Sequence, residues 1–171
     1  MNADQNAYEP DDDLFEDEDT QKDKYLTFSI GSEDYGIAIA NVTEIIGIQT
    51  ITEIPEMPDY IKGVINLRGK VIPIMDVRTR FKLAQREYDA RTCIIVVEID
   101  GTSVGLVVDR VSEVADIPEE QVEPPPKTKQ KGGNYILGIG KIGKDVKILL
   151  DINKILYEDD LEILSEAAQS R

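Results

Sequence analysis

Two aspartates are the first residues whose type and spacing could do chemistry. Asp76 closes the run Val-Ile-Pro-Ile-Met-Asp, and Asp151 closes Val-Lys-Ile-Leu-Leu-Asp, at matching places in two similar stretches of the chain. Paired carboxylates in pseudo-symmetric lobes can share a proton and work as an aspartic-protease dyad. Such sites carry Asp-Thr/Ser-Gly, whereas the sequences here are Asp-Val-Arg and Asp-Ile-Asn. Each Asp ends a strand-like run and precedes a short helix-prone stretch, 78–81 or 153–156. A carboxylate there caps the helix by accepting a backbone N–H, so capping is the reading of both.

Other catalytic chemistries lack their residues. No histidine occurs, which removes the usual general base, the Ser-His-Asp and Cys-His systems, His-ligated metals and a phospho-accepting histidine. The single Cys93 lies in Thr-Cys-Ile-Ile-Val-Val and is expected to be buried in a strand interior; a reactive thiol would want an exposed, cationic setting. One cysteine allows no internal disulfide, which fits a reducing compartment. No GxxxxGK[ST] loop is present, so nothing points to nucleotide binding. No cofactor is expected.

Charge is unevenly spread. The formal net charge is −15, and residues 1–23 carry ten acids against one base. With few aliphatic residues to repay ordering entropy, 1–23 is expected to be a disordered, solubilising tail. Metal binding by Asp11, Asp12, Asp13 and 16–19 is the weaker alternative. The start is acidic, with no basic and apolar leader, and no run approaches the ~20 apolar residues that span a bilayer. A cytoplasmic chain without direct membrane insertion is expected. Arg68, Lys70, Arg78, Arg80 and Lys82 form a basic cluster, and small barrels can bind RNA. The cluster lacks aromatic stacking platforms, and the net charge repels phosphate, so no nucleic-acid partner is expected.

The elements that must position any site come in two copies. Tyr35-Gly36-Ile-Ala-Ile-Ala-Asn-Val42-Thr-Glu44-Ile aligns without a gap on Val104-Gly105-Leu-Val-Val-Asp-Arg-Val111-Ser-Glu113-Val. The stretch from Tyr60 to Asp76 resembles that from Tyr135 to Asp151, with a one-residue shift that sets Gly63 on Gly138 and Gly69 on Gly143. Two copies of one unit are predicted at about 25–81 and 92–156. Each opens with a hairpin, 25–30 with 35–39 and 93–99 with 103–108; Asp100-Gly101 is the stronger turn signal. Segments 41–46 and 110–115 are ambiguous between strand and helical turn. Runs 64–67 and 71–77 read as strands, and Pro73 predicts an edge or a bulge for the second. A long exposed loop is expected over 118–134 and a short amphipathic helix over 158–168. Many short strands with tight turns suggest small barrels.

The block Tyr60-Ile-Lys-Gly63-Val-Ile-Asn66-Leu67-Arg68-Gly69-Lys-Val-Ile-Pro-Ile-Met-Asp76 resembles the signature of the CheW-like domain family, and the resemblance extends over about 24–157. It implies a mainly β fold, two intertwined five-stranded SH3-like barrels with short helices, flanked by the tail 1–23 and a C-terminal helix or tail at 158–171. It further implies a non-enzymatic adaptor that couples chemoreceptors to the histidine kinase CheA. The partners would be the CheA regulatory domain and the cytoplasmic tips of the receptors, through which the chain would reach membrane receptor arrays. A scaffold for another receptor–kinase pathway is the alternative. The length leaves no room for a second domain, as expected of a stand-alone member.

Within the signature, Arg68 is the leading candidate for partner binding. The first copy has Asn66-Leu67-Arg68-Gly69 where the second, so aligned, has Gly140-Lys141-Ile142-Gly143 and no arginine. A purely structural role would keep the residue in both. Glu44 is the expected ion-pair partner, and both match family positions tied to adaptor function. Asn66 and Leu67 accompany them. Gly63, Gly69 and Val42 recur in the second copy, so their first role is expected to be structural, with any effect on partners secondary.

Overall fold

In a computed structural model, the chain is described over residues 21–125 and 135–155. The helix expected at 158–168 and nearly all of the acidic tail fall outside this range. The fold is mainly β, with eleven described strands in two sheets. The first hairpin is β1 (Lys24–Ile30) and β2 (Glu33–Ala38), followed by β3 (Val42–Gly47), β4 (Ile61–Leu67), β5 (Lys70–Asp76) and the one-turn helix α1 (Val77–Arg80). The second hairpin is β6 (Cys93–Ile99) and β7 (Thr102–Val108). Then come β8 (Arg110–Asp116), the short β9 (Val122–Glu123), β10 (Ile136–Ile142) and β11 (Asp145–Leu150). The ambiguous segments after each hairpin are both strands, because each finds a partner: β3 pairs with β6 and β8 with β1.

Both sheets mix early and late parts of the chain. One runs β3-β6-β7-β5-β4, and the other runs β8-β1-β2-β11-β10-β9. Exchanging the hairpins β1–β2 and β6–β7, with β3 for β8 and β4–β5 for β10–β11, turns one order into the other. Parallel pairing of β5 with β7 and of β2 with β11 joins the pieces at the centre of each sheet. The exception to this correspondence is β9, which makes the second sheet six-stranded; its counterpart in the first half is only a bridge from Thr52 to Val64. β9 and the preceding 3-10 turn Glu119–Gln121 also correct the expectation of an unbroken loop from 118.

Among the described residues no ladder joins the end strands of either sheet, yet the sheets curl. Ile65, Leu67, Ile72 and Ile74 from one end of the first sheet pack with Ile94 and Val96, and Ile46 from the other end lies against them. The main core lies between the halves, with Phe28, Ile37, Met75, Ile95, Val97 and Leu106 fully or almost fully buried. A smaller cluster of Ala115, Ile117 and Leu149 serves the second sheet.

Pro73 does not mark an edge. β5 lies between β4 and β7, but its parallel ladder to β7 starts at Ile74, just past the proline that lacks an N–H. The register irregularity is in β4, between Ile61 and Gly63. Cys93 is the first residue of β6 and only partly buried, with Sγ 3.3 Å from the Arg91 carbonyl, so it is not in a strand interior. The capping reading of the two aspartates holds: Asp76 accepts from the Thr79 N–H at 3.3 Å and Asp151 from the Asn153 N–H at 3.0 Å.

Candidate functional site

The β4–β5 turn is built from two residues, Arg68 and Gly69, flanked by the pair Leu67 and Lys70. Both central residues have positive φ, 54° at Arg68 and 86° at Gly69, the type I′ pattern that suits the twist of an antiparallel hairpin. Arginine is an uncommon choice at the first of these positions. Asn66 supports the turn, its Oδ1 accepting the Gly69 N–H at 2.8 Å. Leu67 points the other way, into the core of the first sheet. The turn therefore holds an exposed guanidinium on a rigid base.

That guanidinium reaches Glu44 on β3, and the two form an ion pair through Nη2 and Oε2. β3 and β4 are the opposite end strands of one sheet, so the pair bridges the gap its curl leaves open. Arg68 stays 69% exposed while Glu44 is 31% exposed. Such a pair contributes only ~0–1 kcal/mol to stability in water. A planar five-donor group held on a rigid turn keeps donors free for a docking partner. The half-exposed Ile45 follows Glu44 in β3 but faces the other side of the sheet, since it pairs with Ile95 and Glu44 with Val96. Lys70 Nζ reaches Ser103 Oγ at 3.1 Å. The surface thus presents oriented charge on a fixed turn.

Of the seven candidate residues, the structure gathers Glu44, Asn66, Leu67, Arg68 and Gly69 around this turn. Gly63 and Val42 have other placements. Gly63 has φ 141°, and a Cβ there would lie 2.7 Å from the Thr52 carbonyl carbon, so it is fixed by the close passage of 52–53 over β4. Val42 starts β3 and packs against the main core.

The turn register also corrects the alignment of the two copies. β10 and β11 pair Ile142 with Asp145 and leave Gly143-Lys144 as the turn. Counting from Gly63 and Gly138, which face Ile74 and Leu149, Arg68 stands where Gly143 does and Gly69 where Lys144 does. No gap is needed. The one-residue shift arose from matching glycine to glycine, although the two turns place glycine at different central positions.

Sequence reasoning missed three charged contacts. Arg78 donates to both Asp109 oxygens from Nε, at 3.0 and 3.2 Å, with its side chain 16% exposed. Burial pushes the Asp109 carboxyl up, but hydrogen bonds from Arg78 and the Gly31 N–H and the charges of Arg78 and Arg86 outweigh it and hold it below the usual range. Arg80 is 6% exposed, lies over the rings of Tyr60 and Tyr135, and donates from Nε to the Ile155 carbonyl at 2.6 Å. Tyr88 donates to the buried Asp76 at 2.8 Å, and burial together with that carboxylate raises its hydroxyl far above the ordinary value. The basic cluster of 68–82 is therefore not a surface stripe, since Arg78 and Arg80 turn inward. Spacing carried a signal for this: both arginines follow the capping Asp76 within the first turn of α1, beside buried Val77.

Among the described residues, no group of His, Cys, Asp or Glu is arranged to hold a metal ion, and no helix is long and apolar enough to cross a membrane.

Comparison with known proteins bears on what this surface serves. The family model of the CheW-like domain matches residues 24–160. The chain is 39% identical over 153 residues to the chemotaxis protein CheW of Klebsiella aerogenes, covering 89% of this chain and 92% of that one. It is 34% identical to the chemotaxis protein CheW of Helicobacter pylori, over 80% of this chain and 82% of the other. Among solved structures, the scaffolding protein TtCheW from Thermoanaerobacter tengcongensis superposes with a TM-score of 0.75 at 38% identity, covering 81% of this chain and 94% of that one. By signature, fold and similarity over most of its length, the chain belongs to the CheW-like domain family.

Proposed function

We propose that this chain is a non-enzymatic chemotaxis adaptor that couples chemoreceptors to the histidine kinase CheA, acting in the cytoplasm and joining receptor arrays through its partners. The observation that carries the reading is the Arg68–Glu44 pair on a rigid turn, inside a chain similar to named CheW proteins. Its surface offers oriented donors, which suit protein docking. Titratable chemistry gives no rival, because the two matching aspartates are spent as caps.

The working unit in this reading is 24–157, built as two SH3-like barrels that share strands; the curl of both sheets favours that description. Arg68 and Glu44 contact a partner directly. Asn66, Leu67 and Gly69 shape the turn, and Gly63 and Val42 act through the fold. The test is reconstitution of receptor, kinase and this chain. Receptor-dependent stimulation of the kinase that requires the chain supports the proposal. A well-folded chain that leaves kinase activity unchanged and binds neither partner overturns it.

A further inference from the structure

A second polar feature shares no residue with the Arg68 turn. A cleft of 340 Å³ is lined by Arg86, Arg91, Arg110, Asp34 and Asp109, together with the β1–β2 turn. Arg110, Ser29 and Asp34 lie side by side across β8, β1 and β2, because Ser29 is the register partner of both.

The cleft's acids already have partners. Asp34 accepts from Lys147 at 2.9 Å and Ser29 at 3.0 Å. Asp109 takes Arg78, the Gly31 N–H at 2.7 Å and Arg86 at 3.1 Å. Arg86 in turn is shared with Asp89. Among the described residues, neither Arg91 nor Arg110 has a carboxylate within ion-pair distance. Arg91 and Arg110 are exposed, and Arg110 acts on Asp34 only through its charge. Two cations at one cleft, in a chain of net charge −15, leave guanidinium donors that a carboxylate can use.

The same chain holds a matching anion. Residues 1–20 contain nine acids and no lysine or arginine, including the run Asp11-Asp12-Asp13. β1 begins at Lys24, and the cleft lies at its far end, near Ser29 and Gly31. That distance is about 20 Å at the rise of a strand. Eleven to thirteen residues separate the aspartate run from Lys24 and span up to ~40 Å, so the run reaches back with slack. Among the nearer acids, Glu16 and Asp17 also reach but with less slack, Glu18 reaches only fully extended and Asp19 falls short, so 11–13 is the contiguous acidic run that reaches with all its members. Being tethered, the run meets the cleft at an effective concentration on the order of millimolar.

We propose that the Arg91–Arg110 cleft is a carboxylate-binding site, and that its occupant is this chain's own Asp11-Asp12-Asp13 run. Nuclear magnetic resonance of the full chain tests it. Replacing Asp11, Asp12 and Asp13 together by Asn is expected to shift the backbone amides of Ser32, Arg91 and Arg110, while those of the β10–β11 turn stay in place. Salt at about 0.5 M should shrink the difference, since screening shortens the range of these charges. In a chain carrying Arg91→Ala and Arg110→Ala, the Asp-to-Asn changes should move nothing further in the cleft. The proposal is overturned if the triple replacement leaves the cleft amides unmoved, whether or not added inorganic phosphate then shifts them. Larger shifts from neutralising 16–19 would equally overturn the assignment to 11–13.

Discussion

The two halves of this molecule share a plan and differ at a few residues, and those differences separate architecture from function. Both sheets run in the same order once hairpins are exchanged. In each, a glycine admits a crossing segment: Gly63 passes under Thr52, and Gly138 lies where a Cβ would be 2.7 Å from the Glu123 carbonyl oxygen. In each, an aspartate caps the turn that leaves the last long strand. What is shared answers to the fold. The first half alone carries an arginine at the first turn position. The second has Gly143 there, which offers no side chain toward Glu113, the counterpart of Glu44, and its cation, Lys144, stands one position later. Likewise the Arg78–Asp109 pair has Asn153 and Ala40 at its equivalent places. The unshared residues are thus of two kinds, one half-buried and stabilising, the other exposed and available to a partner.

The glycine crossings should break most severely. Gly63→Ala forces a Cβ into backbone at φ 141°, and a loss of about 3 kcal/mol or more is expected, read as a lower urea midpoint. Gly138→Ala meets the flexible Val122 side chain as well as the Glu123 carbonyl, without positive φ. A smaller loss of roughly 1–3 kcal/mol is expected there. Equal losses would show that strain at φ 141° adds nothing to the clash.

Next in size is the pair without a counterpart. Arg78→Ala leaves the mostly buried Asp109 with only Arg86 and the Gly31 N–H, and should cost about 2 kcal/mol, less than a fully buried pair would. Its pH dependence has a definite sign. The Asp109 carboxyl is held below the ordinary value, so its contribution is complete above the ordinary carboxylate pKa of about 4 and is lost as pH falls through the depressed folded value. Denaturation of wild type and Arg78→Ala at neutral pH and near pH 2 should show the gap between them narrowing in acid.

The smallest effect on stability is expected at the proposed partner surface. Arg68→Gly gives the first turn the residue that the second half uses, and glycine accepts φ 54° without strain. Losing one exposed ion pair and relieving one strained residue should leave stability within about 1 kcal/mol of wild type. Glu44→Gln should fall in the same range. A large destabilisation in either would move the pair from function to architecture.

Local signals made much of this legible in advance. The hairpin 93–99 with 103–108, whose second strand in fact starts at Thr102, followed from Asp100-Gly101, whose residues both take positive φ as the turn requires. Divergence of the copies singled out Arg68, with Glu44 as a candidate ion-pair partner, and the caps followed from Asp ahead of a short helix. The exchange of hairpins between sheets had no local signature, because β5 meets β7 and β2 meets β11 through pairings distant in sequence. Arg78 and Arg80 read only as members of a basic cluster, since composition cannot show that Asp109, Tyr60 and Tyr135 stand elsewhere in the chain to receive them. For Cys93 the strand bounds 93–99 were right and the burial was not: as the first residue of β6, at the end of the apolar run, it stays partly exposed.

The most direct test of the central claim, that the Arg68 side chain serves a partner and not the fold, is assembly of the ternary complex with the CheA regulatory domain and a receptor tip. Wild type and Arg68→Gly should be compared at matched thermal stability. The account predicts binding at least about ten-fold weaker in the variant, a loss on the order of 1.4 kcal/mol, with melting unchanged within a few degrees. Equal assembly by a variant that melts like wild type would contradict it.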